Sequence, residues 1–332
     1  MSESDTDEIV VLTLREHVDG PWITRLVDRL AAASPRERIR VRILEDWLAG
    51  GWLVSEVGFG RIAGIVNRVS DAASPALFKA CVSLLSSAEA LGVRVVNGPT
   101  SYALCASKWT QHLLFKRAGL ASPKTLAFWD GNSQHRTATG GILERAEEVG
   151  MAGDVLVKPN SGGFGRGIRK INLDEIESSS PNGFPQFDDL LLLLQKYESP
   201  RALYRVWFLN GRVQCATERT LGSSEDEFAG ACASSCSVAA NLPRTYRVRD
   251  EVRVEVEEKI LPLIPDAFCG SVEFLVRGDD SDARLYFDLN LLSTLPLRTD
   301  NASGSWDDSY DPWEELAEEI IGSFKIRRIG HG

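Results

Sequence analysis

Between Val155 and Ile168 the chain reads VLVKPNSGGFGRGI. An apolar run ends in Lys158, Pro159 biases that lysine toward extended backbone, and four glycines fall between Gly162 and Gly167. The IRKI that follows alternates like a strand, so the segment reads as strand, glycine loop, strand. That context excludes two phosphate loops. A P-loop places its lysine after the glycines and opens a helix, and a dinucleotide fingerprint needs GxGxxG opening a helix. Gly163, Gly165 and Gly167 give only GxGxG, with no helical period behind them. What remains is a hairpin that folds over a polyphosphate as a lid. Lys158 is then a fixed point charge and the loop N–H groups an anion nest. The competing reading is a structural glycine turn beside a surface lysine.

The first hundred residues alternate strand with helix. EIVVLTL (Glu8 to Leu14) is a short buried strand. Pro21 to Ala33 carries apolar residues at Ile23, Leu26, Val27 and Leu30, the stripe of a helix. Strands are expected at Ile39 to Leu44, Ile62 to Val66 and Val93 to Val96, with a helix over Ala73 to Leu91. This rhythm predicts a parallel α/β sheet, closed by the turn cluster NGPTS at Asn97 to Ser101. Tyr102 to Ala118 then reads as one helix with Lys108 in its middle, ended by Gly119 and Pro123. After that, strands crowd together: Thr125–Phe128, Val155–Lys158, Ile168–Ile171, Ala202–Leu209, Arg212–Glu218, Gly270–Val276 and Leu285–Leu289. Helical patterns intervene at Gly141–Glu148, Phe187–Gln195 and Glu251–Leu263. Asn210-Gly211 signals a hairpin. The second half is therefore expected to be α+β and largely antiparallel. The segment Gly222 to Asn241 reads as a long loop of the functional kind.

Composition narrows the class. The chain has 332 residues and a formal net charge of −10, which argues against nucleic acid as the main partner. No run of ~18 apolar residues is present, so no membrane-spanning helix is expected. The opening MSESDTDE is acidic, the opposite of a secretory signal. Six cysteines lie scattered, including a CxxxC at Cys232 and Cys236, and read as reduced cytoplasmic thiols. His112 reads as a helix-surface residue, and Trp306 and Trp313 as packing.

A second constellation bears on the loop. GSVEFLV places Glu273 in one apolar strand, and LYFDLNLL places Asp288 and Asn290 in another. Residues i and i+2 share a strand face, so Asp288 and Asn290 project together and Glu273 can join them from a neighbour. Three hard oxygen donors on a sheet suit Mg²⁺ held jointly with substrate phosphates. The competing reading is an edge strand with solvated acids; the flanking Phe287, Leu289 and Leu291 speak against it.

With these motifs assembled, the sequence resembles the ATP-grasp superfamily of carboxylate–amine ligases, in the branch of the ribosomal-protein glutamate (RimK-type) and microviridin-type peptide ligases. The resemblance covers most of the chain. It implies an ATP-grasp fold preceded by a parallel α/β domain: residues 1–99 as that domain, 100–198 as the subdomain with the phosphate lid, 199–332 as the subdomain with the metal site. VVNGPTSYALCASKWTQHLLFKRAGLASPKT is similar to the family's leading helix, implying Lys108 as the first nucleotide lysine and Lys158 as the second. Ser161, Gly162, Gly163, Phe164, Gly165 and Gly167 form the implied lid. LLLLLQKYES resembles the adenine hinge, implying nucleotide contacts from Gln195 and Tyr197 and a ribose contact from Glu198. YRVWFLNGRVQCATER implies Arg205 and Arg219 as the catalytic cations, facing phosphate and reacting carboxylate. Glu273, Asp288 and Asn290 would hold Mg²⁺, with Mn²⁺ as a substitute ion. The sequence departs from the family at two places. The first metal acid is usually Asp and the second Glu, the reverse of Glu273 and Asp288. The region GSSEDEFAGACASSCSVAAN does not carry the family's Asn and paired glycines.

The expected function is an ATP-dependent ligase joining a carboxylate to an amine through an acyl phosphate, the carboxylate being a small molecule or a peptide. A kinase on the same fold, with a hydroxyl acceptor, and a degenerate ATP-binding regulatory protein are the rivals.

Overall fold

The computed structural model describes residues 8–50, 59, 61–70, 74–129, 139–162, 167–176, 184, 191–220, 244–277, 283–293, 295–296 and 311–325. The first unit is a four-stranded parallel sheet. Its strands are β1 (Glu8–Thr13), β2 (Arg38–Ile43), β3 (Ile62–Asn67) and β4 (Arg94–Val96), in the order β2-β1-β3-β4. Helices α1 (Pro21–Ala33), α2 (Leu44–Ala49) and α3 (Pro75–Ala90) connect them. β1 is central and covered on both faces. Ile9 and Val11 pack with Ile23, Leu26 and Leu30 of α1, and Val10 and Leu12 pack with Leu84 and Leu85 of α3. Burial on two sides explains an unbroken apolar run where a half-buried strand would alternate. The expected strand Ile39 to Leu44 ends one residue early, because Leu44 opens the short helix α2.

The single helix expected over Tyr102 to Ala118 is two helices, α4 (Pro99–Cys105) and α5 (Lys108–Arg117). Ser107 makes the break: its hydroxyl accepts from the Thr110 N–H and caps α5. Lys108 is therefore the first residue of a helix, not the middle of one. α5 ends as expected at Gly119, whose φ is 69°. There Leu120 N–H donates to the Phe115 carbonyl and Gly119 N–H to Lys116, a Schellman closure.

The second sheet is antiparallel throughout: β5 (Thr125–Trp129), β6 (Asp154–Pro159), β7 (Arg169–Asn172) and β8 (Leu191–Lys196), in the order β5-β8-β6-β7. Helix α6 (Thr139–Glu148) packs Ile142 and Ala146 into its core. The segment expected as a helix over Phe187 to Gln195 is, where described, the strand β8. It is hydrogen-bonded on both edges, to β5 and β6, and buried from Leu192 to Gln195. A leucine run buried on every side has no period to tell strand from helix.

The third sheet holds β9 (Pro200–Leu209), β10 (Arg212–Thr220), β11 (Arg244–Thr245), β12 (Cys269–Arg277) and β13 (Arg284–Asn290), in the order β11-β10-β9-β12-β13, again antiparallel. The β9–β10 hairpin turns at Asn210 and Gly211 with φ of 48° and 78°, as the sequence signal requires. α7 (Asp250–Val254) continues through a π turn to Leu263, and its Val252, Val256 and Ile260 pack against Val206, Phe274 and Tyr286. Leu114 and Phe115 of α5 join this same core, so α5 rides on the third sheet. The last helix, α8 (Pro312–Lys325), turns back to the first unit, packing Trp313, Leu316, Ile320 and Phe324 with the core of α1 and β1. Gly64 of β3 is what lets Phe324 lie flat there, since a Cβ at that position would collide with its ring.

Trp313 is buried packing, whereas Trp306 lies outside the described residues. His112 is not on the surface: it is 6% exposed, and its Nδ1 is hydrogen-bonded to the Ser122 hydroxyl at 3.0 Å. α5 is covered on two sides, so its His112 face finds cover that a single amphipathic stripe did not announce. Cys81, Cys105, Cys215 and Cys269 are not joined in disulfides, and Cys232 and Cys236 lie outside the described residues. Among the described residues no helix is long and apolar enough to cross a membrane.

Candidate functional site

Residues paired directly across antiparallel strands share a face. On the third sheet Thr217, Arg205, Glu273 and Asp288 form one such row, and Cys215, Trp207, Ser271 and Asn290 form the next. Arg219 pairs with Leu203, one row to the other side on the same face. Valines, Phe274 and Leu289 fill the opposite, core face. The register of β12 with β13 shifts after Glu273: Glu273 pairs with Asp288 but Phe274 pairs with Tyr286, leaving Phe287 as the extra residue of a bulge. That bulge flips the parity of β13, so Tyr286 and Leu289 both reach the core while Asp288 turns to the site.

The site is a tight array of opposite charges. Arg205 Nε donates to Glu273 Oε1 at 2.7 Å. Lys108 Nζ lies 3.1 Å from Asp288 Oδ1. Burial pushes the Glu273 carboxyl up, and Arg205 does not fully offset this because Asp288 adds a like charge. Burial also opposes the Asp288 charge, yet Lys108, Lys158 and Arg205 together hold its pKa below the usual range. Asn290 spends one lone pair of its amide oxygen on the Leu292 N–H, at 2.8 Å.

Lys158 is 5% exposed, not a surface lysine. Its ammonium donates to Gln195 Oε1 at 2.9 Å, and Gln195 Nε2 donates to Thr125 Oγ1 at 2.9 Å. Gln195 therefore holds the lysine through its side chain, a role that a hinge motif does not predict. Glu198 lies in the connection between the second and third sheets, with Arg277 3.7 Å away. The Tyr197 N–H donates to the Asp154 carbonyl at 3.1 Å, and its ring lies 4.3 Å beneath the Lys170 ammonium. Ser161, Gly162 and Gly167 flank the loop, with φ of 106° and 78° at the two glycines. Gly163, Phe164 and Gly165 lie outside the described residues, as does 221–243.

Three amides that the sequence patterns did not single out fix the array. Asn160, just past Lys158, accepts the Trp109 N–H on Oδ1 and the Lys108 N–H on its carbonyl, both at 2.9 Å. It thereby ties both lysines' backbones together. Gln111 grips the backbone of Leu289, between Asp288 and Asn290: Nε2 donates to its carbonyl at 3.0 Å, and Oε1 accepts its N–H at 3.1 Å. Asn97 donates to the Leu291 carbonyl at 2.7 Å and accepts from Phe268 and Cys269, each at 2.9 Å.

Two carboxylates and an amide oxygen on one face are hard donors of the kind Mg²⁺ takes. Among the described residues no group of three or more His, Cys, Asp or Glu is placed to hold a metal ion by itself. The donor set therefore suits an ion that completes its shell with phosphate oxygens and water.

No family profile matches the chain. Among solved structures it is similar to the ATP-grasp ligase PsnB complexed with minimal precursor, Mg and ADP: TM-score 0.64, 17% identity, 95% of this chain and 97% of that one. It is similar to the D-cycloserine synthetase DcsG at TM-score 0.64, 12% identity, 95% and 99% covered. For a D-alanine–D-alanine ligase from Bacillus anthracis the values are 0.61, 13%, 98% and 100%. The chain has the ATP-grasp fold. Among curated proteins it is 25% identical over 229 residues to a tetrahydromethanopterin:alpha-L-glutamate ligase from Methanosarcina acetivorans; that match spans 66% of this chain and 61% of the relative.

Proposed function

We propose that the protein is an ATP-dependent carboxylate–amine ligase, residing in the cytoplasm. The observation that carries this reading is the row Arg205, Glu273 and Asp288 with Lys108 and Lys158 converging on it. Cations gathered around paired acids are what phosphoryl transfer needs, since its catalysis is mostly positioning and charge stabilisation. Lys108 and Lys158 neutralise nucleotide phosphates. Arg205 offsets charge on the transferred phosphoryl group, and Arg219, on the same face, orients the carboxylate. Glu273, Asp288 and Asn290 hold Mg²⁺, or Mn²⁺ in its place, which neutralises phosphate charge when bound. The carboxylate takes the γ-phosphoryl group, ADP leaves, and an amine displaces phosphate to give the amide. The ligase names of the similar proteins support the same class. The domain division at residues 99 and 198 belongs to this reading, with α8 shared back to the first unit.

An ADP-release screen of carboxylates with and without amines, followed by hydroxylamine trapping, tests the reading. A carboxylate that yields ADP and a hydroxamate in the absence of amine supports the ligase. A stable phosphate ester formed without any amine would replace it with a kinase. Tight MgATP binding with no turnover across the screen would favour a regulatory ATP-binding protein.

A further inference from the structure

We propose that the cavity between the carboxyl end of β3, the β9–β12 pair and α8 binds a non-reacting carboxylate of a small substrate, with Arg68 as its counter-ion. The inference deepens the ligase reading and rests on it for the word substrate. The cavity is a narrow crevice open to solvent: its enclosed part, about 20 Å³, has room for about one water or one carboxylate oxygen, and Leu26, Val66, Val96 and Leu316 give it apolar walls. Four of its lining residues carry a buried polar atom with no hydrogen-bond partner among the described residues: Asn67 Nδ2, Arg68 Nε, Ser293 Oγ and Trp313 Nε1. All four are donors. The unmet donors of Arg68, Ser293 and Trp313 suit an electron-rich acceptor.

Arg68 gives that acceptor its charge. The residue is 7% exposed. Its guanidinium donates to the Leu292 carbonyl at 2.8 Å and lies 4.9 Å over the Trp22 ring, and no carboxylate stands within ion-pair distance among the described residues. A buried cation without an anion is unfavourable, and burial accordingly lowers the Arg68 pKa. A guanidinium with Nε unspent can still grip a carboxylate edge-on. Asn67, next along β3, turns its side chain to the other face. There its Oδ1 accepts the Val69 N–H at 3.1 Å and also receives the Cys81 thiol of α3 at 3.8 Å, leaving the amide nitrogen as the unmet end. The carboxyl ends of parallel strands are where open α/β sheets bind ligands.

Position links the cavity to the chemistry. Leu292, held by Arg68, is two residues beyond Asn290. Trp207 lines the cavity, pairs with Ser271 in the Asn290 row, and lies 5.8 Å under the Arg205 guanidinium. Trp207 thus borders both the cavity and the Arg205 guanidinium, and a small substrate reacting at Arg205 would direct its second charged end past that ring toward Arg68.

The experiment uses the full chain loaded with magnesium and a non-hydrolysable ATP analogue. Calorimetry measures binding of L-alanine, L-glutamate and succinate, each against its carboxamide: L-alaninamide, the α-amide of L-glutamate, and succinamate. At least one acid should bind ten-fold or more tighter than its amide. Arg68→Gln should abolish that preference while nucleotide affinity stays within two-fold. Trp313→Phe, which keeps the ring packing and deletes one N–H, should weaken the acid about three-fold and leave the amide unmoved; it and Ser293→Ala decide the matter if Arg68→Gln does not fold. Equal binding of acid and amide, no binding by any of the acids, or a preference that survives Arg68→Gln overturns the proposal, the last meaning that Arg68 merely props Leu292. Failure of the ligase reading is separate: it removes hydroxamate formation and leaves the acid-over-amide preference measurable.

Discussion

Lys108 Nζ stands 3.1 Å from Asp288 Oδ1, each side chain less than one-fifth exposed. The pair couples the first residue of α5 to the site-facing end of β13. Asp288→Asn should therefore do two things. It should abolish turnover, because a neutral amide is a poor Mg²⁺ ligand. It should also cost about 1–3 kcal/mol of stability by leaving a largely buried ammonium without this charged partner. Denaturant melts and ADP release check both; an unchanged midpoint would show that solvent already screens the pair.

Lys158 and Gln195 form a second linked pair. Lys158→Met keeps the stem and removes the charge, and should weaken MgATP binding by about 1.5–3 kcal/mol while the fold persists. Gln195→Leu should weaken it less, about three- to ten-fold, since it loosens the lysine without deleting it. Calorimetry on both variants decides: wild-type nucleotide affinity in a folded Lys158→Met would remove this lysine from the phosphate site.

The fold was readable where burial was one-sided or where a special residue spoke. The α1 stripe, the Asn210-Gly211 turn and the Gly119 stop each have a local cause, and each is found where expected. The misses were of a different kind. β8 is apolar on all sides and so has no period, and the α4–α5 break hangs on the side chain of Ser107, lost inside a plausible helical run. For the site, the charged residues were legible because acids in apolar strands are conspicuous. The amides of Asn97, Gln111 and Asn160 were not, because what they bind is backbone far away in sequence. The Phe287 bulge was likewise invisible, since parity along one strand says nothing about the register of its partner.

His112 yields a pH prediction. Burial, helped by the positive charges of Lys116 and Lys158, pulls its pKa down to about 4, against roughly 6.5 in the unfolded chain. Between these values the unfolded state binds the extra proton, so stability is full above about pH 6.5 and falls as pH drops toward 4. His112→Gln can still hydrogen-bond to Ser122 but cannot titrate. Its melting temperature should decline less steeply over that window than the wild type's. Parallel curves would mean that His112 is hydrated and protonates freely in the folded state.

The acids Glu273 and Asp288 face each other in register, and relative to the resembling family their lengths are exchanged. One longer and one shorter side chain reach the same point if the metal lies between them, the methylene gained by one making up for that lost by the other. Glu273→Asp leaves two short acids, and Asp288→Glu leaves two long ones crowded against Lys108 and Arg205. Each alone should lower kcat at least ten-fold. The double variant restores one of each length and should recover most of the loss, a coupling of more than about 1 kcal/mol in the double-mutant cycle. The cycle is best run with both Mg²⁺ and Mn²⁺, since the ion's size changes how much reach is needed while the coupling sign does not. Losses that simply add would mean the two carboxylates do not share an ion, and would leave Glu273 as a partner for Arg205 alone.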